Sequence, residues 1–124
     1  MIVGIGVDIS SQIRIQNSVD KLGDKFLQRI LTDQEIELCQ RYRSPAARYA
    51  GRFAVKEAFM KAVGTGMYKV GFHDIQVFNH DSGAPYIETS GRAQQVLDDL
   101  AVQHIHVSIS HDMDMAVGMV VLEK

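Results

Sequence analysis

The sequence predicts an α+β fold, a mostly antiparallel sheet packed on one long and several shorter helices. Three observations carry this expectation. An apolar, β-branched stretch runs from Ile2 to Ile9, and two further strand-like runs, His104 to Ser110 and Met115 to Leu122, stand near the other end. Between them, residues 45 to 64 keep helical periodicity and stop at Gly64-Thr65-Gly66. Strands and helices mix rather than alternate strictly, which disfavours a parallel sheet. A length of 124 residues fits one domain, 1–124, with a real core. The charged fraction of 23% and hydrophobic fraction of 46% are those of a folded soluble chain and exclude disorder and collagen-like repeats.

A net charge of −2 argues against nucleic acid as a partner. Cys39 is the one cysteine, so no intramolecular disulfide is expected, and a reducing, cytoplasmic setting is. The N-terminal apolar run has no basic lead and meets Asp8 at once, and no stretch approaches the ~20 apolar residues of a membrane span, so neither targeting nor membrane anchoring is expected.

Taken in order, the first strand ends near Asp8, an acidic residue closing an apolar run. Gly4-Ile5-Gly6 hints at a dinucleotide fingerprint, but no third glycine follows and no helix opens there. From Ser18 to Ile30, Lys21, Lys25 and Arg29 recur at four-residue spacing beside Leu22, Phe26 and Ile30, a helix with one basic edge that Gly23 weakens or splits. That edge reads equally as a solvated face or as a docking surface for an acidic partner, with Arg14 extending it. Thr32-Asp33-Gln34-Glu35 has capping-box spacing and opens a helix to about Tyr42. Ser44-Pro45 starts the long helix, serine as cap and proline in the first turn. Asp74 to Phe78 and Pro85 to Glu88 form a hairpin about His80-Asp81-Ser82-Gly83, Ser90 caps a short helix from Gly91 to about Leu100, and the last two strands follow.

Wound at about 100° per residue, the long helix places Glu57 and Lys61 on neighbouring azimuths beside a small-residue face of Ala50, Gly51, Ala54, Ala58 and Ala62. That face can approach another backbone closely. Tyr49, Phe53 and Met60 form a core stripe on the other flank. Alone, an i, i+4 acid–base pair is an ordinary surface salt bridge. With Asp8 as a second carboxylate it becomes a set that suits magnesium, held by one or two carboxylates with substrate phosphates completing its octahedron. Arg48, Arg52 and Lys56 form another basic cluster around the helix from Glu57, either a solvated stripe or a phosphate site completed by a neighbouring subunit. On the strand from His104 to Ser110, Ile105, Val107 and Ile109 point to the core and His104, His106, Ser108 and Ser110 away from it. Ser108, Ser110 and His111 are candidates for hydrogen bonds to a phosphate, ahead of a zinc site on His104, His106 and His111 or a serine hydrolase.

Three ordered motifs, Gly4-Ile-Gly-Val-Asp-Ile9, Arg52-Phe-Ala-Val-Lys-Glu-Ala58 with Lys61 and Gly64-Thr-Gly66, and Ser108-Ile-Ser-His111, resemble the holo-[acyl-carrier-protein] synthase family, the small bacterial branch of the 4′-phosphopantetheinyl transferases. The resemblance covers essentially the whole chain. It implies that fold and the magnesium-dependent transfer of 4′-phosphopantetheine from coenzyme A to a serine of apo acyl carrier protein, with release of adenosine 3′,5′-bisphosphate. Asp8 and Glu57 match the family's metal carboxylates and Lys61 its pyrophosphate lysine, a catalytic set of three. Arg52, Lys56, Gly64, Gly66, Ser108, Ser110 and His111 fall in regions expected to meet coenzyme A. Arg14, Lys21, Lys25, Phe26 and Arg29 fall where the acidic carrier helix docks. The resemblance further implies a homotrimer with sites at subunit interfaces. Two residues depart from the pattern: Ala84 replaces a common basic residue between Gly83 and Pro85, so that turn is not counted as a ligand site, and Val55 replaces a common alanine. A metal-dependent phosphatase or nucleotide hydrolase, or a non-catalytic coenzyme A-binding module, is the competing expectation.

Overall fold

The computed structural model describes residues 1–64 and 70–124. Five strands and five α-helices follow in the order β1 (Ile2–Ser11), α1 (Gln12–Leu22), α2 (Asp24–Ile30), α3 (Asp33–Gln40), α4 (Pro45–Val63), a 3₁₀ turn (Phe72–Asp74), β2 (Ile75–Asn79), β3 (Pro85–Thr89), α5 (Gly91–Asp99), β4 (His104–Asp112) and β5 (Met115–Glu123). All pairing is antiparallel, but it divides into two sheets among the described residues: β1-β5-β4, and the hairpin β2-β3.

The small-residue face of α4 does approach a backbone. A Cβ at Gly4 would lie 2.0 Å from the Ala62 carbonyl oxygen, one at Gly6 1.7 Å from that of Ala58, and one at Gly118 2.6 Å from the Val55 nitrogen. Any side chain at these three positions would drive strand from helix, so the sheet rests on α4 main chain to main chain. Gly4, Gly6 and Asp8 share one face of β1 by the strand period of two, and Asp8 is carried to α4 by that contact.

One apolar cluster joins Val55, Phe59 and Val63 of α4 to Ile75 and Val77 of β2, Val96 of α5 and Val120 of β5. A second joins Tyr49 and Ala50 to Ile15, Leu27, Ile30 and Cys39 of the first three helices, with Phe53 and Phe26 at its margin. The opposite face of the three-stranded sheet stays open, with Ile5 60%, Val7 53% and Ile9 59% exposed along β1 and Met119 beside them.

Helix α1 starts earlier than the periodicity predicts. Ser11 Oγ accepts from the Arg14 N–H, and the Asp114 carboxylate, in the β4–β5 turn, accepts from Ser11 Oγ at 2.7 Å and from the Ile13 N–H at 2.8 Å. A carboxylate there satisfies orphan donors and complements the helix dipole. Gly23, with φ 67°, splits the helical region into α1 and α2, the second of the two outcomes expected of it, so helical spacing no longer carries Lys21 in line with Lys25 and Arg29. The capping box of Thr32 and Glu35 forms as predicted. Ser44 and Ser90 occupy cap positions without a side-chain cap bond; the start of α5 is held instead by Asp74, which accepts from the Arg92 N–H at 3.2 Å.

Candidate active site

Asp8 and two of the charged residues of α4, Glu57 and Lys61, converge. Lys61 Nζ donates to Asp8 Oδ1 at 3.2 Å and to the Val7 carbonyl at 3.0 Å, binding the helix to the strand that carries the acid. Glu57, half-buried, joins them from one turn earlier on α4. Burial, and then the negative charge of Asp8, raise the Glu57 carboxyl above the usual carboxylate range, while Lys61 pulls it down. Two carboxylates that repel each other, next to one ammonium, form a hard-oxygen donor set whose repulsion a divalent cation relieves. Lys61 leads into Gly64, whose left-handed φ of 76° ends the helix. Gly66 lies outside the described residues.

The second basic cluster divides. Lys56 does not line an open basic surface, contrary to the sequence expectation that it binds cofactor: it is fully buried, and its ammonium is held by Glu35, paired at 2.6 Å, and by two carbonyls. The segments that cover it, α3 and the 3₁₀ turn, are remote in sequence, which helical spacing cannot register. Arg52, 3% exposed, and Arg48 instead border a small cavity with Asn79, Gly83, Pro85 and His111. Arg52 Nη2 donates to Asn79 Oδ1 at 2.9 Å, and its buried Nε has no partner among the described residues, which leaves it a donor in want of an acceptor. The His111 ring lies 3.1 Å from the Ala47 carbonyl through Nε2, against Gly51. The Gly83–Pro85 turn, not counted from the sequence, belongs to this wall, and so does Asn79, which no sequence motif pointed to.

Ser108 and Ser110 do not join His111. On β4 they alternate with it, so the serines face the open side of the sheet, opposite Met119 and Val117, while His111 follows Ile109 toward α4. The same parity separates His104 and His106 from His111, and the three do not converge on a zinc site; His106 pairs with Glu123 at 2.9 Å instead. Cys39 is buried, and burial pushes its thiol up to about 11, far from a nucleophile's range.

On the expected docking surface, Arg14, Lys21, Lys25 and Arg29 are exposed and Phe26 is half-buried. Arg14 and Phe26 line a shallow groove with Ile9 and Phe53, at the end of β1 that follows Asp8, and Arg14 and Lys21 border the depression next to it.

A family model of the 4′-phosphopantetheinyl transferase superfamily matches residues 4–119. The chain is 45% identical to a holo-[acyl-carrier-protein] synthase of Maridesulfovibrio salexigens over the full length of both. Its structure is similar to the crystal structure of holo-[acyl-carrier-protein] synthase from Neisseria meningitidis, with a TM-score of 0.91, 37% identity and 100% of each chain covered. It is also similar to the Helicobacter pylori enzyme in complex with coenzyme A, with a TM-score of 0.83, 38% identity, and 96% and 99% of the two chains covered. The chain therefore belongs to the holo-[acyl-carrier-protein] synthase family.

Proposed function

We propose that Asp8, Glu57 and Lys61 are the catalytic centre of this enzyme, and that the cavity of Arg52 and His111 on a neighbouring copy completes it. The reaction is transfer of the 4′-phosphopantetheine group from coenzyme A to a serine of apo acyl carrier protein, releasing adenosine 3′,5′-bisphosphate. The observation that carries the assignment of the centre is the meeting of two carboxylates and a lysine across the β1–α4 contact, with the Glu57 carboxyl raised by burial and by Asp8.

Asp8 and Glu57 would hold magnesium, which supplies charge neutralisation to the pyrophosphate. Lys61, its side chain 55% exposed and its Nζ anchored on β1, offers its remaining N–H to a phosphoryl oxygen. Phosphoryl transfer asks little covalent chemistry of the protein; positioning of the carrier serine against the β-phosphate and electrostatic stabilisation supply most of the rate.

Two further features support self-association, which in this reading is the homotrimer the family resemblance implies. The exposed apolar face of Ile5, Val7, Ile9 and Met119 is of the kind that a second copy covers. The Arg52–His111 cavity lies around α4 from Glu57, so a ligand with phosphates at both ends is better served by two copies than by one. The exposed basic residues of α1 and α2 suit the acidic carrier. The chain works as a single domain in the cytoplasm in this reading; among the described residues no helix is long and apolar enough to cross a membrane.

The test is to incubate the protein with apo acyl carrier protein, coenzyme A and magnesium and to weigh the carrier by intact mass spectrometry. One phosphopantetheine adduct on the serine is expected from the wild type, and far slower adduct formation from Glu57→Ala. Equal adduct formation by both would remove Glu57 from the centre.

A further inference from the structure

Lys56 stands one residue before Glu57 and takes no part in the chemistry above. An ammonium has three N–H donors, and all three of its own are engaged: by Glu35 Oε1 at 2.6 Å, by the Ile30 carbonyl at 2.8 Å and by the Phe72 carbonyl at 3.0 Å. Glu35, also fully buried, accepts from the Thr32 N–H through Oε1 and from the Val77 N–H through Oε2, each at 2.9 Å. One buried pair therefore joins the end of α2, the cap of α3, the middle of α4, the 3₁₀ turn and β2.

Stability alone is a poor reason for such a pair. Desolvation offsets much of the attraction, and apolar side chains of similar volume often serve as well. Apolar groups cannot, however, draw carbonyls from two separate segments to one point beside α4. We infer that Lys56 is a positioning residue for the transfer reaction: with Glu35 it fixes α2, and so the basic edge of Lys25 and Arg29, at a set place relative to Glu57. The docked carrier then presents its serine to the centre from a fixed distance. This rests on α1 and α2 being the carrier-docking surface.

The experiment is steady-state kinetics of Lys56→Met/Glu35→Gln against wild type, varying carrier and coenzyme A separately. The carrier KM is expected to rise about tenfold or more, with the coenzyme A KM within about twofold of wild type. An unchanged carrier KM overturns the inference, and so do equal rises in both constants, which a general loosening of the chain would produce. Should that double variant not fold, Lys56→Gln/Glu35→Gln, which leaves no unpaired charge in the core and keeps polar groups at both positions, is expected to raise the carrier KM selectively; no selective rise overturns the inference there too. Lys25→Glu/Arg29→Glu tests the docking surface by itself: a wild-type carrier KM in that variant defeats the surface, whatever Lys56 does.

Discussion

Helix α4 carries two lysine–carboxylate pairs five residues apart, and they are opposites. Lys56 and Glu35 meet at 2.6 Å with both side chains 0% exposed; Lys61 and Asp8 meet at 3.2 Å with 55% and 20% of their side chains in solvent. The buried pair is saturated, every ammonium donor committed to the fold. The open pair keeps one Lys61 donor without a partner among the described residues and has a second carboxylate, Glu57, beside it. The same two functional groups hold elements together where water is excluded and remain available to a ligand where it is not. Charge type in the sequence does not distinguish the two cases; coverage does.

The sharpest break in that comparison comes from the open side. Asp8→Ala or Glu57→Ala is expected to lower turnover by roughly 10²–10³-fold, with thermal unfolding by circular dichroism close to wild type, because neither acid anchors the core. On the closed side the expectation reverses. Lys56→Met leaves Glu35 buried and unpaired and is expected to cost about 3–5 kcal/mol in urea unfolding, with Lys56→Met/Glu35→Gln regaining a good part of it. Near wild-type stability for the single variant would mean that the pair is not held as described.

A smaller effect concerns pH. Because burial and Asp8 raise the Glu57 carboxyl, protons compete with a cation there at higher pH than at an ordinary glutamate. The magnesium concentration for half-maximal activity is expected to climb by up to about tenfold per unit as pH falls below the raised value, and Glu57→Gln should abolish this dependence in whatever activity remains. For folding the sign is opposite: a raised acid stabilises the native state at low pH and loses that contribution as pH climbs through the folded value. Glu57→Gln is thus expected to be slightly more stable than wild type at neutral pH. The smallest expected effect is the stability change in Lys61→Met, at most about 1 kcal/mol for an exposed ion pair, against a large loss of activity.

Much of this arrangement is legible in the sequence. The run of small residues on α4 announces close backbone contact, the glycines of β1 supply the other half of it, and the Glu57–Lys61 spacing with Asp8 points to the proposed centre, although β1 continues past Asp8 to Ser11 rather than ending there. Strand alternation also separates His111 from Ser108 and Ser110 once β4 is extended to Asp112. Other features lie beyond local pattern. The β-branched Ile13 and Ile15 disguise the first turns of α1, which depend on Asp114 from the far end of the chain. Lys56 reads as part of a solvated stripe or of a cofactor site until α3 and the 3₁₀ turn, folded over it, bury it. Asn79 gains its meaning from Arg52, remote in sequence, and from the Gly83 carbonyl to which its Nδ2 donates.

The bare glycine contact between β1 and α4 has a last consequence. With 2.0 Å and 1.7 Å separating the would-be Cβ atoms of Gly4 and Gly6 from helix carbonyls, there is no side-chain cushion between the strand that bears Asp8 and the helix that bears Glu57 and Lys61. Most neighbouring elements in a protein settle against each other through rotamers, and a substitution at the seam is absorbed by repacking. Here the seam is rigid polymer on rigid polymer. The spacing of the two acids is accordingly insensitive to changes elsewhere in the core, and any altered spacing would have to be made by moving a whole strand or helix.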